Sequence, residues 1–206
     1  MSSSTRRIIL LHGLWMPALS MRWLSGRLAG AGFVPEFFGY PTVVGGPEAA
    51  VPRLIATLRH EPANVVAHSL GGLVALQALR EAPELPVPRV VCLGSPLCGS
   101  AAAAGLARSA WTGIPLGRSA GLLTAGCGAW DGRAEIGMIA GNAPLGLGQF
   151  FGGLRGPSDG TVGVEETRLP GLSDHIIVPA SHTGLLFSAE AARHAIAFLR
   201  SGRFGD

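Results

Sequence analysis

The chain of 206 residues contains no lysine, so all 16 of its permanently cationic side chains are arginine. That absence excludes a Schiff-base lysine, a phosphate-loop lysine and a Ser-Lys dyad. Charge of either sign is scarce, at 14% of residues. The net charge of +3 is spread along the chain, with Arg6-Arg7 the single adjacent pair, so no nucleic-acid partner is expected. Long apolar runs are missing too, and none approaches the ~20 residues of a membrane span. The opening M-S-S-S-T-R-R-I-I-L-L-H-G faintly imitates a secretion signal, but its apolar run is short and has no small-residue cleavage site. A buried first strand and a cytoplasmic protein are the expectation. Cysteine is rare: Cys92, Cys98 and Cys127 have no metal-like spacing, and an odd count argues against a disulfide framework. A Cys98–Cys127 bridge is the one pairing worth testing, and small buried thiols are the simpler expectation. There is no H-E-x-x-H and no phosphate loop. Residues 146–152, G-L-G-Q-F-F-G, have the wrong spacing for a dinucleotide loop and no strand leads directly into them. Neither a metal nor a cofactor is therefore expected.

What is present is apolar: 48% of residues are hydrophobic, which makes disorder implausible and gives one domain, residues 1–206, enough material for a full core. Short apolar runs at residues 7–11, 35–39, 64–68, 89–93, 136–140 and 175–178 read as strands. Most are continuous rather than alternating, as in strands covered on both faces. Helix-length segments lie between them, at residues 17–31, 47–59, 70–82 and 185–200, with Pro52 offering an alternative start for the second. This alternation predicts an α/β fold with a mostly parallel sheet of about six strands flanked by helices.

Residues 101–128 break the rhythm, with many glycines and only Arg108 and Arg118 charged, and residues 141–160 are a second irregular stretch. Long insertions of this kind are commonly functional. Residues 101–128 are expected to form an apolar cap or lid over a pocket, the alternative being one more crossover helix with a loose loop.

The stretch V-V-A-H-S-L-G-G-L-V-A, residues 65–75, places Ser69 between a predicted strand and a predicted helix. That is the setting in which a sharp elbow exposes a serine oxygen above a sheet. The tight turn needs small residues two before and two after the serine; Gly71 supplies one, and Ala67 adds a methyl at the other. A plain N-cap would explain the serine but not its small neighbours. A nucleophilic serine needs a base, and reactive groups in an open parallel sheet collect beyond the carboxyl ends of the strands. His175 starts the last strand, at the wrong end. His60 and His194 lie on helices, His12 belongs to the first loop, and His68 precedes the serine and is expected to point away from it. His182, directly after the last strand, is the candidate base. Of four aspartates, Asp206 is terminal, while Asp131 and Asp174 fall at the amino ends of strands. Asp159, in P-S-D-G-T-V, follows the fifth strand and is the candidate orienting acid, with Glu165 and Glu166 as fallbacks. Oxyanion donors are expected at the backbone N–H of Leu70, after the serine, and of Leu14, after the first strand. Trp15, Met16, Trp111, Phe150 and Phe151 are candidates for an acyl pocket, or plain core.

Taken together, L-L-H-G-L-W, A-H-S-L-G-G, L-G-S-P-L-C-G-S, S-D-G-T-V and S-H-T-G resemble the lipase and esterase branch of the α/β-hydrolase superfamily, over residues 8–198. The resemblance implies Ser69 as nucleophile, Asp159 as acid, His182 as base, and Leu14 and Leu70 as oxyanion donors. The departures are Ala67 in place of the usual glycine, the missing first strands of the full fold, and the lack of a recognisable secretion signal. A hydrolase of small carboxylic esters with an apolar acyl chain is the expected function. The alternatives are an acyltransferase using the same triad, or a catalytically silent interaction protein on the same scaffold. Oligomeric state is left open.

Overall fold

Six strands of five to seven residues, the inner ones largely apolar, pair in a single sheet in the computed structural model, which describes residues 5–107, 114–144 and 156–205. The strands are β1 (Arg7–Leu11), β2 (Val34–Phe38), β3 (Asn64–His68), β4 (Arg89–Leu93), β5 (Glu135–Gly141) and β6 (Asp174–Val178). All five ladders are parallel, in the order β2-β1-β3-β4-β5-β6. Neighbouring positions on the inner strands serve opposite cores, which is why those runs lack polar alternation, whereas the edge strands β2 and β6 are partly exposed. Ile9, Leu11, Val65, Ala67, Val90 and Cys92 pack into one core, and Ile8, Leu10, Val66, Val91 and Leu93 into the other.

The helices are α1 (Arg22–Gly30), α2 (Gly46–Leu58), α3 (Leu70–Glu81), α4 (Ala101–Ala107), α5 (Ala120–Ala125) and α6 (Ala189–Ser201). Residues of α2 and α3 fill the first core, and those of α1 and α6 the second. The alternative start of α2 at Pro52 is corrected: the helix begins at Gly46, with Pro47 in its first turn and Pro52 inside it. Pro52 removes one backbone donor, yet Ala50, Val51, Leu54 and Leu58 are buried against α3 and carry the helix through. β2 begins one residue earlier than expected and contains Pro35, tolerated because β2 is an edge strand. The last helix starts at Ala189 rather than at residue 185, because Ser188 is extended and its Oγ accepts the Ala191 N–H at 3.1 Å. Residues Gly184–Phe187 form a separate 3-10 turn before it.

No helix among the described residues is long and apolar enough to cross a membrane. All three cysteines are free thiols. The expectation of buried thiols holds for Cys92 but fails for Cys98, which is exposed and whose Sγ donates to the Arg168 carbonyl at 3.2 Å.

The strand order reverses its sense between β1 and β3: the chain steps outward to β2, then returns to the other side of β1. At such a switch point the loops beyond the carboxyl ends splay apart and leave a crevice.

Candidate active site

Ser69 is the whole connection between β3 and α3, with φ 54° and ψ −120°. Among the described residues, only Trp15 and Ser69 are non-glycine residues with positive φ. A side chain there is held against its backbone preference, at a cost on the order of 1–3 kcal/mol that surrounding structure must offset. The serine hydroxyl does not cap α3, so the plain N-cap alternative is not what the geometry adopts. The elbow is locked from below by Ser69 N–H to the Leu93 carbonyl, at 2.9 Å. The small neighbours have physical reasons. A Cβ on Gly71 would stand 2.8 Å from the Leu11 carbonyl oxygen and 3.0 Å from that of His12. One on Gly72 would collide with the Ser95 side chain and press on Cys92 Sγ at 3.1 Å. Ala67 lies in the ladder between Leu11 and Cys92, fully buried and without a positive φ, so its methyl is simply core.

Asp159 and His182 are brought together 23 residues apart in sequence: Asp159 Oδ2 accepts the His182 Nδ1–H at 2.7 Å. The other carboxylate oxygen accepts the N–H groups of Thr161 at 2.9 Å and Val162 at 2.7 Å. These bonds need a turn tight enough to fold back on the side chain. Gly160 makes it, at φ +91°. The backbone also ties the two residues, with the His182 N–H on the Asp159 carbonyl at 2.9 Å. With Nδ1–H spent on the carboxylate, His182 Nε2 is left with its lone pair, and the ring lines a cavity shared with Ser69. Neither fallback acid is at hand. Glu166 binds the N–H groups of Ala101 and Gly163, at 2.7 and 2.9 Å, and Glu165 pairs with Arg168 at 3.1 Å.

The pair rests on Gly94, the first residue after β4, at φ +55°. A Cβ there would come within 3.0 Å of Asp159 Oδ2, 3.2 Å of His182 Nδ1 and 2.9 Å of Leu185 Cδ1. Gly94→Ala therefore adds strain at a positive φ and pushes directly on the Asp159–His182 contact. If this pair serves catalysis, turnover is expected to fall about a hundredfold, as for ångström-scale misplacement of a reacting group. Comparing kcat per folded molecule with the wild type checks it.

Of the two candidate oxyanion donors, Leu14 lines the cavity and Leu70 is the first residue of α3, its side chain fully buried. Among the described residues neither N–H donates to a backbone carbonyl. The loop holding Leu14 is shaped by His12 and Trp15. Trp15 N–H donates to Thr42 Oγ1 at 3.3 Å, and Tyr40 OH donates to the His12 carbonyl at 2.7 Å. The His12 ring stacks on Tyr40, with centroids 4.5 Å apart, and is a buried strut of that loop.

The cavity holds about 370 Å³. Its walls include Met16, Pro96, Ala102, Ala103, Leu116 and Leu123, and no Asp, Glu or Arg side chain is among its described lining. Four of these six come from α4, α5 and the turn before α5, so residues 101–128 supply a wall of the cavity, as far as they are described. Trp15, 55% exposed, stands at the cavity as expected, and so does Met16; Trp111, Phe150 and Phe151 lie outside the described residues.

One placement corrects the sequence expectation. His68 does not point away from the site. Its ring packs 4.7 Å from that of His182, and its Nε2 lies 3.0 Å from the His182 carbonyl oxygen. A strand alternates sides, but His68 is the last residue of β3, and the elbow that follows turns the chain so that both side chains border the cavity. Nothing in the sequence signalled it, since adjacency to Ser69 along a strand argues for the opposite side. Complete burial drives its pKa down to about 3, with the nearby His182 lowering it further.

That burial has a consequence for acid stability. The unfolded state takes up a proton at His68 below pH ~6.5, while the folded state stays neutral down to about pH 3. The unfolded state thus binds more protons, so stability falls as pH drops across that window, by about 1.4 kcal/mol per pH unit from this group. Denaturant titrations between pH 6 and 4.5 are expected to give a steeper slope for the wild type than for His68→Phe. Burial lowers the pKa of His12 and His175 in the same direction, and both variants share that part.

The model of the alpha/beta hydrolase family matches residues 8–199. No curated protein matches the sequence. Among solved structures, the mature lipase of Bacillus licheniformis superposes with a TM-score of 0.76 at 22% identity, over 97% of this chain and 92% of that one. A phospholipase of Legionella pneumophila gives 0.68 at 17% identity, over 96% of this chain but only 59% of its own. A pyrethroid hydrolase of Sphingobium faniae gives 0.63 at 14% identity, over 95% and 97%. At these identities the likeness concerns the fold, whereas the family model spans nearly all of the sequence. Parallel sheet, strained serine elbow after β3, and a family match from β1 to α6 agree: the chain belongs to the alpha/beta hydrolase family.

Proposed function

We propose that this hydrolase cleaves small carboxylic esters through an acyl-enzyme, with Ser69 as nucleophile, His182 as base and Asp159 as its orienting acid. The observation that carries this is the 2.7 Å Asp159–His182 contact beside a cavity that Ser69, on its strained elbow, also lines. Ser69 Oγ attacks the ester carbonyl as His182 Nε2 takes its proton. The oxyanion is met by the N–H groups of Leu14 and Leu70, one of them at a helix N-terminus where negative charge is favoured. Nε2 then returns the proton to the leaving alkoxide, and an alcohol departs. Water attacks the acyl-Ser69, gives a proton to Nε2, and the second tetrahedral intermediate collapses to the carboxylic acid and free serine. Asp159 holds the imidazole tautomer and stabilises the imidazolium throughout.

The cavity walls support a neutral, apolar acyl group, because a charged one would lose its hydration and meet no counter-charge among the described lining. The same apolar walls favour a second reading, acyl transfer, in which an added alcohol competes with water for the acyl-enzyme. Incubation with a fluorophosphonate tests nucleophilicity, and nitrophenyl esters of increasing chain length test the acyl preference. A wild type that is neither labelled nor active on any of these esters would sink the proposal. Alcohol added during turnover separates transfer from hydrolysis by the ratio of new ester to acid.

A further inference from the structure

His68 touches three parts of the candidate site and belongs to none of the assigned roles. It is fully buried and joined to Ser69 by one peptide bond. Its Nε2 is 3.0 Å from the carbonyl oxygen of His182, an atom that can only accept, so Nε2 carries the hydrogen. Its ring lies 4.7 Å from the His182 ring, tilted by 47°. On its other side, Nδ1 faces the loop after β1: a Cβ on Gly13 would stand 2.9 Å from Nδ1 and 3.0 Å from Ser69 Cβ.

The tautomer has a cost. With Nε2–H given to His182, Nδ1 is a buried acceptor with no hydrogen-bond partner among the described residues. Buried polar atoms are seldom left unpaired, and an apolar side chain would avoid the penalty. What histidine supplies, and an apolar ring does not, is a donor at that reach for the His182 carbonyl. The other backbone hydrogen bond of His182 among the described residues is on its Asp159 side, N–H to the Asp159 carbonyl at 2.9 Å. Burial keeps His68 neutral, so it places no positive charge beside His182 when that ring is protonated.

We propose that His68 is a positioning residue: by donating Nε2–H to the His182 carbonyl and packing against its ring, it holds the His182 loop in register with the serine elbow and the Gly13 loop. This rests on the ester-hydrolase proposal above. It acts through His182 and not on substrate, so its removal lowers kcat and leaves KM nearly unchanged.

The full chain is tested as wild type, His68→Phe, which keeps a flat ring without the donor, and His68→Gln, whose amide N–H reaches about as far as Nε2. Rates on nitrophenyl butyrate are taken per folded molecule, with folding followed by thermal melting. His68→Phe is expected to lose roughly tenfold to a hundredfold in kcat, with KM within about twofold, and His68→Gln to recover most of that loss. A His68→Phe kcat within about twofold of wild type, or a His68→Gln no better than His68→Phe, overturns the role. If His68→Phe does not fold, His68→Gln is set against His68→Asn, whose donor falls short; equal kcat values then overturn it. An inert, unlabelled wild type would instead overturn the hydrolase proposal and the positioning role with it.

Discussion

Ser69→Ala is expected to abolish fluorophosphonate labelling and to lower ester hydrolysis by roughly 10⁴-fold or more, while the fold survives. The chemical loss follows from the proposed acyl-enzyme, which has no covalent route without Oγ. Survival of the fold follows from what Ser69 does structurally. Its main-chain bonds, N–H to the Leu93 carbonyl at 2.9 Å and carbonyl from the Gly72 N–H at 3.1 Å, are kept by alanine. Its hydroxyl caps nothing. Alanine carries the same Cβ at φ 54°, so strain is neither added nor relieved. The variant should therefore melt within a few degrees of wild type. Labelled Ser69→Ala protein would move the nucleophile elsewhere, and a gross loss of fold would show that the serine is structural after all.

Asp159→Asn is expected to reach a similar loss by a different route, roughly 10⁴-fold in kcat with Ser69 still in place. Asparagine can keep the two N–H bonds from Thr161 and Val162 on its carbonyl oxygen, so the turn at Gly160 survives. Its NH₂ then faces His182 Nδ1, where a carboxylate oxygen accepted at 2.7 Å. Two donors cannot share that contact. The imidazole answers by moving its hydrogen to Nε2, which leaves no lone pair toward the serine. Carboxylate removal also leaves the imidazolium of the transition state without its counter-charge. Circular dichroism should be unchanged while turnover collapses; activity within tenfold of wild type would show that Asp159 is not the orienting acid.

Local pattern carried much of this protein. Strand runs such as R-I-I-L-L and N-V-V-A-H are short-range signals, and burial of β3 on both faces explains why they lack alternation. The pairing of Asp159 with His182 was legible because each directly follows a strand or its loop, and a parallel sheet gathers such segments at one end. Glu165 and Glu166 were harder to dismiss from sequence, since nothing local reveals that Arg168 and the Ala101 and Gly163 N–H groups engage them.

Other features needed coordinates. Whether Pro52 starts α2 or sits inside it turned on how much apolar surface the helix buries against α3, a sum over distant residues. The direction of the His68 side chain turned on the backbone of the elbow, since Ser69 at φ 54° breaks the alternation that strand logic assumes. In the sequence Gly71 reads as a small residue beside the serine, while Gly13 and Gly94 give no hint of what they touch. Their reasons are the atoms a Cβ would strike on His68, on the Leu11 carbonyl and on the Asp159–His182 pair, all brought close by the fold.

The sequence by itself determined the order of strands and helices and the small residues around Ser69, because these depend on spacing within one segment. Only the tertiary structure decided what surrounds His182. The cavity wall from α4 and α5, the Gly94 floor and the His68 contact each join residues far apart in the chain. Distance along a sequence carries no information about which side chains will share one small volume, and packing alone sets it.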